Sequence, residues 1–118
     1  MEFKDYDDPE LLRQVQRAQT TILGEFDRIC RELDIPYAIY GGTAIGAVRH
    51  KGFIPWDDDT DVCLTRPDYE RFLLEAPAVM GPDFELHNLR LLDDFPYMYT
   101  KMVLKGTKFV HEWAKEAT

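Results

Sequence analysis

The stretch GGTAIGAVRHKGFIPWDDDTDV, from Gly41 to Val62, decides how this chain is read. It opens on a glycine pair, passes a basic knot at Arg49, His50 and Lys51, crosses the apolar Phe53-Ile54-Pro55-Trp56 and ends among Asp57, Asp58, Asp59 and Asp61. Two unit charges about 6 Å apart repel by roughly 3 kcal/mol at an effective dielectric of about 20. A packed, partly buried run of carboxylates therefore calls for a cation, and a divalent metal is the economical one. Residues i and i+2 of an extended strand share a face, so Asp59 and Asp61 are expected to project side by side. Together they would hold a hard ion, Mg2+ or alternatively Mn2+. Mg2+ usually takes one or two carboxylates and completes its shell with water and substrate phosphate.

The residues on either side serve this stretch. Tyr37 to Tyr40 reads as a short, largely buried strand that delivers Gly41 and Gly42 to a tight turn. Thr43 is placed to cap the helix that follows, whose free N–H groups favour an anion, so metal and anion sites would face each other. That helix is predicted to run to about His50, with Gly52 as its left-handed C-terminal cap. Phe53 to Trp56 is expected as an extended wedge excluding water from the acidic run, with Pro55 keeping it out of a helix. Thr60 to Leu64 is the expected metal-bearing strand, with Val62 and Leu64 turned to the core.

Further upstream, Asp8 and Pro9 form a cap and first-turn proline. From there Leu11, Leu12, Val15, Ala18, Ile22, Phe26, Ile29, Cys30 and Leu33 recur at helical spacing to about Asp34, and Pro36 ends the helix. Downstream, Pro67 starts another helix through Tyr69, Phe72, Leu73 and Leu74, and Pro77, Gly81 and Pro82 mark loop. Strands are expected at Phe84 and Leu86, from about Tyr97 to Leu104, and from Thr107 to Val110, the last two joined by a turn at Lys105-Gly106.

Composition bounds the function. A chain of 118 residues is a single domain at most, and 45% hydrophobic with 13% aromatic content fits a packed globule. A net charge of -8 disfavours nucleic-acid binding, which needs lysines and arginines to displace counterions. Cys30 and Cys63 read as buried free thiols of a reduced, cytoplasmic protein. The start is acidic without an apolar signal core, and no apolar run approaches the ~20 residues of a membrane span.

The pieces Gly41-Gly42-Thr43, Gly46-Ala47-Val48-Arg49-His50, Gly52-Phe53-Ile54-Pro55-Trp56-Asp57-Asp58-Asp59 and Asp61-Val62, in that order, resemble the signature of the LicD family of phosphorylcholine transferases. That family is a branch of the nucleotidyltransferase-fold superfamily. Weaker similarity extends from the first helix through Arg66, Asp68 and Tyr69 to Lys101 and Thr107. The resemblance implies an α/β core with a small mixed sheet packed by helices and a long N-terminal helix. It also implies transfer of phosphorylcholine, or of a related phospho-alcohol such as ribitol phosphate, from a CDP-activated donor such as CDP-choline to a sugar hydroxyl of a surface glycan. The enzyme would meet that acceptor from the cytoplasmic side of the membrane.

By the same resemblance Asp59, Asp61, Arg49 and His50 would be catalytic, while Gly41, Gly42, Thr43, Arg66 and Lys101 would bind substrate. From the residues alone, Arg49, His50 and Lys51 read first as complements to a helix C-terminus in solvent, Arg66 equally pairs with neighbouring acids, and Lys101 is equally a surface lysine. Nucleotidyltransferase sites generally need a third carboxylate on a later strand. Glu112 is a candidate without a good positional match, and otherwise that carboxylate lies beyond Thr118. The chain is thus expected to be the N-terminal part of a longer protein, and a metal- and nucleotide-binding domain without turnover is the alternative reading. A nucleotidyltransferase acting on another substrate class is a further one.

Two other readings of the acidic run compete. Asp57, Asp59 and Asp61 open an EF-hand pattern, but Val62 stands where Gly is needed, Asp68 replaces the final Glu, and Pro55 interrupts the preceding helix. A solvated acidic loop would leave the glycine turn and Trp56 without a common purpose. His87 and His111 lack zinc-ligand spacing, and nucleophile elbow, Walker loop and dinucleotide fingerprints are absent.

Overall fold

The Asp8 carboxylate accepts the Glu10 N–H at 2.9 Å, and Pro9 opens α1, Pro9–Leu33. These contacts come from a computed structural model that describes residues 8–88 and 99–106. The chain divides into two units, Met1–Val79 and Met80–Thr118. In the first unit α1 is followed by β1 (Ala38–Ile39), α2 (Gly41–Arg49), β2 (Val62–Cys63) and α3 (Arg66–Val79). In the second, β3 (Phe84–His87) pairs antiparallel with β4 (Lys101–Leu104).

α1 stops just ahead of Pro36. Asp34 takes a left-handed conformation with φ 56° and its N–H returns to the Arg31 carbonyl, while Ile35 N–H bonds the Cys30 carbonyl at 2.8 Å. Aspartate is among the few side chains that tolerate this region. The turn buries Ile35 beneath the helix end. The core of this unit is the meeting of α1 with α3: Ile29 and Ala76 are fully buried, Phe26, Cys30 and Phe72 nearly so. The Phe26 ring meets Phe72 at 5.0 Å and stands edge-on to Tyr37 at 4.8 Å, geometries that aromatic quadrupoles favour.

The two helices cap one another. Arg28 of α1 donates to the Val79 carbonyl at 2.6 Å, and Arg71 of α3 donates to the carbonyls of Leu33 and Asp34. Each guanidinium thereby satisfies carbonyls that a helix end leaves without partners. This carries α3 through Pro77 to Val79, beyond the loop expected at Pro77. A proline in the last turn forfeits only one intrahelical bond.

The α/β class holds, with strands that are shorter and more exposed than the sequence suggests. β1 and β2 form an antiparallel pair, Ala38 opposite Cys63 and Ile39 opposite Val62. Ala38 and Cys63 are exposed, so neither the largely buried strand nor the buried Cys63 thiol is found. Among the described residues the sheets are two antiparallel pairs rather than a mixed sheet. In the second unit Lys105 N–H extends the ladder to the Asp83 carbonyl at 2.7 Å, and Gly106 turns with φ 85°. The expected strand at Thr107 to Val110, the start of the one at Tyr97, and Glu112 lie outside the described residues.

Candidate metal and phosphate site

α2 begins at Gly41, three residues earlier than expected, with Tyr40 as its cap residue. Gly41 has φ 61°, which a side chain would resist. Thr43 therefore sits inside the first turn, and its hydroxyl does something else: it accepts the Asp61 N–H at 2.8 Å. The Asp61 carbonyl in turn accepts the Tyr40 N–H at 3.3 Å. Asp61 is thus pinned to the start of α2 through both backbone groups. Because a threonine side chain takes its N–H, regular strand begins only at Val62, and Asp59 and Asp61 precede β2 instead of lying on it.

Gly42 provides the contact that joins glycine turn to acidic run. A Cβ at Gly42 would fall 2.7 Å from Oδ2 of Asp57, so only glycine lets the carboxylate lie against the helix start. The other Asp57 oxygen accepts the Asp58 N–H at 3.0 Å, and the Asp57 N–H closes a turn onto the Ile54 carbonyl at 2.9 Å. Carboxylate oxygens of Asp57, Asp58 and Asp59 lie within 4.8 Å of one another. These three form one group, beside the pairing of Asp59 with Asp61 expected from the sequence. Asp61 remains close enough for its charge to act on Asp59.

The electrostatics follow. Withdrawal from bulk water, then the charges of Asp61, Asp57 and Asp58, push the Asp59 carboxyl up to about 6. Burial, then Asp57, raises Asp61 as well. Asp59 as a residue is still exposed to solvent, and a cation would relieve the crowding of like charges around it. An all-oxygen donor set at this spacing fits a hard divalent cation.

α1 holds the acidic loop from behind. Gln16, buried, donates from its amide nitrogen to the carbonyls of Asp57 at 2.8 Å and Pro55 at 3.3 Å, and Gln19 accepts the Thr60 hydroxyl at 3.1 Å. Neither amide was singled out in the sequence. The available signal was position: Gln16 and Gln19 continue the spacing of Leu12, Leu23 and Phe26, a stripe that is otherwise apolar. Beside the loop a cleft of about 370 Å³ is lined by Thr20, Leu23, Ile39, Gly42, Thr43, Ala47, Lys51, Gly52, Phe53 and Thr60. Asp57, Asp58, Asp59 and Asp61 are not among its walls, but Gly42, Thr43 and Thr60 join the two.

The helix end differs from expectation by one residue. Lys51, not Gly52, takes the left-handed φ, 55°. Gly52 instead donates to the Gly46 carbonyl at 3.3 Å, and a Cβ at Gly46 would run into the Gly52 carbonyl. Close backbone approach accounts for Gly46, whereas a Cβ at Gly52 would meet nothing. Trp56 is 49% exposed, so it does not seal the acidic run from water.

The basic candidates are more dispersed. Arg49 and His50 end α2, about 12 Å along the axis from Gly41, are exposed and make no side-chain hydrogen bond or ion pair with described residues. Arg66 pairs with Glu70 at 3.1 Å and lies over the Tyr69 ring at 5.4 Å. Lys101 opens β4 opposite His87, in the second unit. Burial pushes the Cys30 thiol up to about 11, which leaves it inert.

Residues 34–117 match the family described as LicD/FKTN/FKRP, nucleotidyltransferase domain. The chain is 40% identical over 94 residues to the lipopolysaccharide cholinephosphotransferase LicD of Haemophilus influenzae, covering 80% of this chain and 34% of that protein. It is 49% identical over 86 residues to an uncharacterized protein of Rickettsia typhi, covering 66% of this chain and 26% of that one. The chain thus spans about a third or less of the length of these relatives. No solved structure matches. With a family match reaching from the end of α1 across the glycine turn and the acidic run, the chain belongs to the LicD family.

Proposed function

We propose that this chain is the donor- and metal-binding part of a transferase that moves phosphorylcholine, or a related phospho-alcohol, from a CDP-activated donor to a sugar hydroxyl of a surface glycan. The observation that carries the reading is the Asp57 carboxylate lying against Gly42, with Asp58 and Asp59 gathered beside it. The Haemophilus influenzae relative, a lipopolysaccharide cholinephosphotransferase, supports the substrate class.

In this reading Asp57, Asp58 and Asp59, with Asp61 close by, hold a Mg2+ or Mn2+ ion. When bound, such an ion neutralises phosphate oxygens and stabilises the charge that develops in an in-line displacement. The chain's own residues do the rest. The first turn of α2 offers N–H groups and the positive end of its dipole to the donor's diphosphate, and Gly42 keeps that approach free of a side chain. Thr43 and the Tyr40 N–H fix Asp61. The cleft from Thr20 to Phe53 gives the donor an apolar wall with threonine hydroxyls beside it. Described residues include no helix long and apolar enough to cross a membrane, and we place the reaction at the cytoplasmic face.

Arg49 and His50 are exposed and make no side-chain hydrogen bond or ion pair with described residues, and Arg66 is paired with Glu70, which favours a second reading: this part binds metal and donor, and groups elsewhere complete turnover. Release of CMP from CDP-choline, with Mg2+ and a lipopolysaccharide acceptor, separates the two. A transferase releases CMP, and Asp61→Asn lowers the rate at least about 100-fold with the circular dichroism unchanged. Binding of CDP-choline without CMP release supports the second reading. Release that needs no divalent ion, or that survives Asp61→Asn, contradicts the metal site.

A further inference from the structure

The geometry points to Gln16 as the positioning residue of the acidic cluster, and so to α1 as part of the site. α1 up to Leu33 lies outside residues 34–117, which match the family. This inference rests on the proposed divalent-cation site and goes beyond it, because the family match assigns nothing to α1.

Three observations converge on this side chain. Gln16 is 9% exposed, one of two buried polar residues among those described, and amides are rarely placed so deep unless hydrogen-bonded. Its nitrogen has two hydrogens, and both meet backbone carbonyls of the acidic loop, Asp57 at 2.8 Å and Pro55 at 3.3 Å. A second bond from the same helix, from the Thr60 hydroxyl to Gln19, holds the far end of the loop, with the Ile54–Asp57 turn and the Asp57–Asp58 contact between them.

The need for an anchor is electrostatic. Asp57, Asp58, Asp59 and Asp61 repel, and a loop of that charge opens unless its backbone is tied elsewhere. Gln16 ties it at the carbonyl of Asp57, while the N–H of the same residue is held by Ile54. The Asp57 side chain is thereby fixed against Gly42, presenting Oδ2 at the helix start. A neutral amide suits this role because a cationic side chain would neutralise the carboxylates and compete with the ion. A carboxylate would face two carbonyls.

The test uses Mn2+ and the whole chain. Mn2+ affinity, read by the electron paramagnetic resonance of free ion, is expected to fall about 10- to 100-fold in Gln16→Met, which keeps length and loses both donors; that is the usual cost of removing a group that orients a metal ligand. Ile22→Ala, also on α1 but not lining the cleft and with no group to bond a loop carbonyl, is expected to stay within about threefold of the unmodified chain. Should Gln16→Met fail to fold, the unmodified chain still decides: on titration with Mg2+, the Gln16 side-chain amide signals shift in the NMR spectrum, and those of exposed Gln14 do not. Equal Mn2+ affinity in Gln16→Met and the unmodified chain, or a Gln16 amide indifferent to Mg2+, overturns this inference and leaves the metal site standing. An unmodified chain that binds neither ion overturns both.

Discussion

The two halves of α1 make an instructive contrast. Gln16, Leu23 and Cys30 repeat every seven residues and so share one stripe of the helix, yet the stripe meets different partners along its length. Toward the C-terminus Phe26, Ile29 and Cys30 form a dry core with Phe72 and Ala76. Toward the N-terminus Gln16 and Gln19 meet backbone and hydroxyl of the acidic loop. Apolar burial is non-directional and stabilises in proportion to area. Amide hydrogen bonds contribute only about 0.5–1.5 kcal/mol each but fix position. The first half of the helix therefore sets where the carboxylates stand, and the second holds the unit folded.

The largest break in that contrast is in the core. Ile29→Ala, at a fully buried position, is expected to lower unfolding free energy by about 2–5 kcal/mol, measured by urea denaturation. Divalent-ion affinity of the fraction still folded should not change. A loss of affinity equal to that of the acidic-loop variants would mean the two halves are not separable.

Next in size is Gly46→Ala. Its Cβ meets the Gly52 carbonyl, a backbone atom that cannot rotate away, so about 1–3 kcal/mol of destabilisation is expected. Gly42→Ala is the informative partner. There the obstacle is the Asp57 carboxylate, a side chain that can swing aside, so stability should fall less and ion affinity more. Thermal melts and Mn2+ titration of the two variants would sharpen the distinction between a glycine needed for packing and one needed for the site.

Much of the contrast was legible in the chain itself. Asp8-Pro9 and Pro36 marked the ends of α1, and the glycine turn and acidic run marked the site. What was not legible depended on partners distant in sequence. Thr43 reads as a cap because a hydroxyl beside glycines can bond its own helix, and nothing local says that the Asp61 N–H would claim it. Gln16 and Gln19 are amides on an amphipathic helix, and nothing local singles them out. Only the return of the loop some forty residues later makes them interior. Lys51 takes the left-handed position that Gly52 invites, and the glycine needed where α2 and the following segment touch is Gly46.

A smaller and opposite-signed effect should appear with pH. Asp59 titrates near 6 in the folded chain against an ordinary value of 3.8, so between about 4 and 6 the folded state keeps a proton that the unfolded state has lost. Stability of the metal-free chain then falls as pH rises through that window, and the raised Asp61 adds to the fall. Most native carboxylates, held low by partners as Asp27 is by Arg31 and Tyr37, act in the other direction. Chemical denaturation in a chelator at several pH values would show it, and Mg2+ should flatten the decline.

The most direct measurement is Mn2+ binding to the unmodified chain beside the Asp59→Asn plus Asp61→Asn variant. Saturable uptake of one ion per chain is predicted, weakened at least about 100-fold by the double substitution while the fold persists. Equal uptake by both proteins would show that Asp59 and Asp61 do not hold a metal, against the site assigned to the acidic run.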